Sequence, residues 1–99
     1  MFVVWEPILP TDWSPPSAGV LARIPDARVE QFWDPDHLVG AVLSRSLAAG
    51  VPGCCRSQGR LWDDVAVFPP ATRLGAAPPA WISGPVVDSI AGLRTRLPR

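Results

Sequence analysis

The sequence predicts an α/β fold of three strands with helices packed on them, and three observations carry that expectation. Residues 2–8 form an apolar run rich in β-branched and aromatic side chains, interrupted only by Glu6 and Pro7, the composition of a strand covered on both faces. Asp34-Pro35-Asp36-His37 then opens a segment whose apolar residues recur at helical spacing up to Gly50. Finally, two short strand-like runs, 65–68 and 80–83, precede a stretch with apolar residues at 86, 90, 93 and 97.

Taken in order, the first strand, 2–8, contains Pro7, which has no N–H to give to a ladder and belongs at a strand end or an unpaired edge. Within 11–25, Ser14-Pro15-Pro16 suits the start of a short helix through Leu21 and Ala22, with Ser14 as N-cap and Pro15 at the first helical position. Asp26 caps a further helical turn on which Val29, Phe32 and Trp33 fall at i, i+3 and i+4 and would dock on the core.

The helix after Asp34 is the most strongly punctuated. Asp34 accepts from orphan amides, Pro35 takes the first helical position, and Leu38, Val39, Val42, Leu43 and Leu47 form the apolar stripe. Gly50 supplies the left-handed residue past the end, and Pro52 blocks continuation. After a loop over 51–60, the strand at 65–68 stops at Pro69-Pro70 and pairs with 80–83 as a hairpin whose proline-rich ends guard its edges. Pro85 opens the last helix at its first position. Its stripe is Val86, Ile90, Leu93 and Leu97, with Arg94, Arg96 and Arg99 complementing the dipole.

At 99 residues the chain reads as a single domain, 1–99, of a size that buries roughly two-thirds of its unfolded surface. Nine arginines balance nine acids, so no basic surface points to nucleic acid and no acidic run to a solvating tail. No apolar stretch approaches the roughly 18 residues of a spanning helix, and the opening run is too short for a signal sequence. The expectation is a soluble, cytoplasmic protein with no membrane partner. Two adjacent cysteines make no disulfide framework and demand no oxidising compartment.

Cys54-Cys55 is the one constellation with reactive potential. A vicinal pair closes a strained, labile disulfide or chelates a soft metal, and Arg56 and Arg60 stand close enough in sequence to stabilise a thiolate. The alternative is plain packing, with one thiol inside and one outside. His37, the sole histidine, reads as a solvated residue near a helix start, and Asp34, Asp36, Asp63 and Asp64 as cap and strand-start residues. No motif for nucleophilic, metal or phosphate chemistry is present, so no metal site, no cofactor and no catalytic residue is expected. Of five tryptophans, Trp5, Trp33 and Trp62 suit a core, whereas Trp13 and Trp81 are interface candidates together with Phe2 and Val4.

Several phrases carry a resemblance. Val3-Val4-Trp5-Glu6-Pro7-Ile8-Leu9 with Asp12-Trp13, Gln31-Phe32-Trp33-Asp34, Trp62-Asp63 before a strand, and Gly84-Pro85-Val86-Val87-Asp88 are similar to segments of uncharacterised bacterial thioredoxin-like proteins. The resemblance implies the C-terminal part of a thioredoxin fold, a three-stranded mixed sheet of one strand plus a hairpin. The first strand–helix unit and its Cys-x-x-Cys have no counterpart here, nor does the proline that precedes the hairpin. A non-catalytic or partner-dependent module is therefore implied, either an N-terminally truncated member or a reduced relative in which the first and second strands pair directly. Its opening strand, 2–8, would pair with a second chain, as a homodimer or with another protein, or with 65–68. The alternative is a small thiol-redox or soft-metal protein working through Cys54 and Cys55.

Overall fold

The computed structural model describes residues 1–9, 14–47, 56–57 and 60–97, without the side chains of 56, 57 and 60. The chain divides into two compact units, Met1–Val39 and Gly40–Arg99.

In the first unit, strand β1 (Phe2–Trp5) pairs in parallel with β2 (Glu30–Trp33), in the register Phe2↔Glu30, Val3↔Gln31, Val4↔Phe32 and Trp5↔Trp33. Parallel strands need a crossover, and the short helix α1 (Ala18–Leu21) lies within it. Ser17, not Ser14, caps α1: its hydroxyl accepts from the Val20 amide, so the helix starts after Pro15 and Pro16. The strand β2 corrects the helical turn expected there. Asp26 makes only a turn, accepting from the Val29 amide at 3.0 Å. Beyond it the Glu30 amide donates to the Met1 carbonyl at 2.9 Å and the Asp34 amide to Trp5 at 2.7 Å. The i, i+3, i+4 pattern was too short to outweigh a ladder built on β-favouring aromatic residues.

Helix α2 (Leu38–Ser46) spans the division between the units. It starts three residues past Pro35 because His37 takes a left-handed conformation (φ 56°) that no helical residue adopts. Its expected end at Gly50 and Pro52 lies outside the described residues.

The second unit holds two antiparallel pairs. One joins β3 (Arg56–Ser57) to β4 (Arg60–Leu61), and the other joins β5 (Val65–Val67) to β6 (Trp81–Ser83). The latter is the hairpin expected from the sequence. Helix α3 (Val86–Arg94) packs on β5, with Pro85 one residue before the helix rather than inside it. Gly84 joins β6 to α3 where a Cβ would lie 2.9 Å from the Asp63 carbonyl oxygen, so a side chain has no room.

These pairings contradict the three-stranded mixed sheet of the thioredoxin-like expectation. Among the described residues every sheet has two strands, and β1 joins β2 rather than 65–68. Burial is correspondingly thin. Leu61, 4% exposed, is the one buried apolar side chain among the described residues, and Trp5, Trp33 and Trp62 are only half-buried. The expected core stripe of α3 is also corrected: Val86, Ile90 and Leu97 are exposed, and the helix seats itself through Ser89 and Gly92.

Candidate functional site

Two features of the first unit stand out, the β1–β2 ladder itself and the cluster at the carboxyl ends of its strands. Side chains alternate along a strand, so Phe2, Val4, Glu30 and Phe32 share one face and Val3, Trp5, Gln31 and Trp33 the other. The second face is tied down. The Trp5 indole N–H donates to Gln31 Oε1 at 2.9 Å, and the Gln31 amide donates to the Leu21 carbonyl of α1 at 2.9 Å. The first face is open, with Phe2 69% and Phe32 48% exposed and their rings 5.8 Å apart.

The backbone repeats this asymmetry. Met1 and Trp5 turn their carbonyls toward β2, so alternation turns the amides and carbonyls of Phe2 and Val4 to the opposite edge. Among the described residues no strand pairs with that edge.

At the carboxyl ends, Glu6 follows β1 and Asp34 follows β2. Thirty-one positions from Glu6, the His37 ring comes back to it, with Nδ1 at 3.0 Å from Glu6 Oε2. Both side chains are nearly enclosed, 12% exposed for Glu6 and 13% for His37. Asp34 is buried, and its two carboxylate oxygens accept from the Leu38 and Val39 amides, each at 2.9 Å. This is the end of a parallel pair at which open α/β sheets commonly hold ligands. No motif in the sequence signals that His37 meets a carboxylate; it reads there as a solvated residue. Only the parallel pairing of β1 and β2, itself hidden behind a helical pattern, brings Glu6 to it.

Of the residues singled out in the sequence, Phe2 and Val4 lie together on the open face, while Trp81 sits in the other unit. There the Arg96 guanidinium carbon stands 4.5 Å from its ring centroid, a cation–π contact that gives Trp81 a partner within its own unit. Trp13, Cys54 and Cys55 lie outside the described residues. Among the described residues no three His, Cys, Asp or Glu side chains gather as metal ligands, and no helix is long and apolar enough to cross a membrane.

No family model, curated protein or solved structure matches the chain.

Proposed function

We propose that the chain is a partner-dependent module that associates through the outer edge of β1, and that the partner is a second copy of itself. The open β1 edge beside exposed Phe2 and Phe32 carries this reading. Parallel sheets are normally covered on both faces, and two strands alone are marginal in water. An added strand would satisfy the outward amides and carbonyls of Phe2 and Val4. A second copy suits the edge for two reasons. The net charge is zero, so copies do not repel one another. An antiparallel β1–β1 pairing about a two-fold axis also closes on itself, placing the Phe2 and Phe32 rings of both copies on one face of a four-stranded sheet.

The exposed parts of the two rings amount to roughly 200 Å² per copy. A standard interface buries about 800 Å² per partner, so the association is weak and concentration-dependent. Light scattering across about 10 μM to 1 mM therefore tests it, a range set by the weakness of the contact. The native chain should shift from monomer toward dimer. Val4→Pro should remain monomeric, because proline deletes an outward N–H and leaves the bonds to β2 intact. A native chain that stays monomeric throughout would refute the second copy.

A further inference from the structure

The structure assigns the Glu6–His37 pair a second role: His37 Nε2 is a general base that activates water toward neutral acyl esters at the carboxyl end of β1 and β2. The pair is more than a surface contact. It joins residues 31 apart, and both side chains are nearly withdrawn from solvent. The carboxylate of Glu6 can only accept, so in the neutral ring Nδ1 carries the proton and the basic lone pair lies on Nε2. Among the described residues the ring's hydrogen bond is made by Nδ1, which leaves Nε2 for water, and the side chain keeps 13% of its surface exposed. His37 holds this position from a left-handed backbone conformation that is uncommon for a residue other than glycine, a form of strain often found at functional sites.

The surroundings define the substrate class. Asp34 and Asp36 lie in the same turn as His37, between β2 and α2, so an anionic substrate is disfavoured. Ile8 and Leu9 follow Glu6 in the chain and Leu38 follows His37, and all three are exposed apolar side chains suited to an acyl group. In the step, Nε2 takes a proton from water as the water oxygen bonds to the carbonyl carbon. The tetrahedral adduct then expels the alkoxide, and the imidazolium returns the proton to it. Ester and water become acid and alcohol with nothing else consumed. Glu6 is a positioning residue, which fixes the tautomer and stabilises the imidazolium.

The test is hydrolysis of p-nitrophenyl butyrate by the full chain, with Cys54 and Cys55 replaced by Ser to remove competing thiols. Free imidazole at equal concentration serves as the reference. His37→Asn is the decisive variant. Asparagine tolerates the left-handed conformation and can still donate to Glu6, but it carries no base. It should lose about 10²-fold in rate, the low end of what a positioned general base supplies, with an unchanged circular dichroism spectrum. Glu6→Gln, which keeps an acceptor oxygen, should retain more of the rate than Glu6→Leu, and the native rate should be slower in deuterium oxide. A native rate no higher than that of His37→Asn or of free imidazole would overturn the assignment. So would equal rates for the two Glu6 variants.

Discussion

At the scale of single residues, close approach explains more than propensity does. Gly92 lies within α3, where replacing glycine by alanine ordinarily gains about 1 kcal/mol. Here a Cβ would stand 2.9 Å from Trp81 Cζ2, and Arg96, which also donates to the Gly92 carbonyl, packs over the same indole. Displacing that ring costs about 1–3 kcal/mol, so overpacking wins. Urea denaturation should show Gly92→Ala less stable than the native chain, and a stabilised variant would mean that the indole moves freely.

Asp26 offers a second residue-level test. Its carboxylate accepts from the Arg28 guanidinium at 2.7 and 3.0 Å and from the Arg28 amide at 2.9 Å, and these bonds hold its carboxyl well below the ordinary 3.8. A group depressed on folding stabilises above its unfolded pKa and loses that contribution as the pH falls through its folded value. The stability difference between the native chain and Asp26→Asn should therefore narrow as the pH drops from about 7 to about 2. Because the pair is exposed, salt should narrow the difference too. A difference that is constant in pH would show that the turn, not the charge, matters.

Among the elements, α2 shows how a legible signal can be displaced. Asp34 was recognisable as a capping residue, yet it works from four residues before Leu38, across a turn that His37 closes in a left-handed conformation. Its carboxylate satisfies two amides from a buried position, so Asp34→Ala should cost about 1–2 kcal/mol and Asp34→Asn less, since one acceptor oxygen remains. Thermal melts of both variants measure this, and equal losses would contradict the two-amide cap. The β5–β6 hairpin was legible because Pro69-Pro70 and the alternation from Val65 are local. The β1–β2 pair was not, because a parallel partner 28 residues away leaves no local mark. Phe32 and Trp33 also fit a helical turn until their backbone partners are known. The α3 stripe misled for a related reason: amphipathic spacing identifies a helix but not the face it buries, which here is set by Ser89 and Gly92. The Ser89 hydroxyl donates to the Pro85 carbonyl at 2.8 Å and is hydrogen-bonded to the Ser83 hydroxyl at 2.9 Å.

For the molecule as a whole, the contrast is between an ordinary apolar content of 47% and very little burial. Phe2, Phe32, Val87 and Leu38 are large apolar side chains left in water, and two-stranded sheets cannot cover them. The sequence suggested a second chain or residues 65–68 as the neighbour of the opening strand, whereas β2 takes that place. β2 fills one edge of β1, and among the described residues no strand pairs with the other. Phe2 and Val4, singled out from composition alone, share the open face of the ladder, whereas the Glu6–His37 pair depends on a fold that periodicity could not supply.

The central claim, that β1 takes a strand from a second copy, is tested most directly by amide hydrogen exchange at two residues as concentration rises. Phe32 directs its amide toward β1 and should be protected at every concentration, while the outward Val4 amide should gain protection only as dimer forms. Val4 remaining unprotected at the highest concentration, or already protected in the dilute monomer, would contradict the claim.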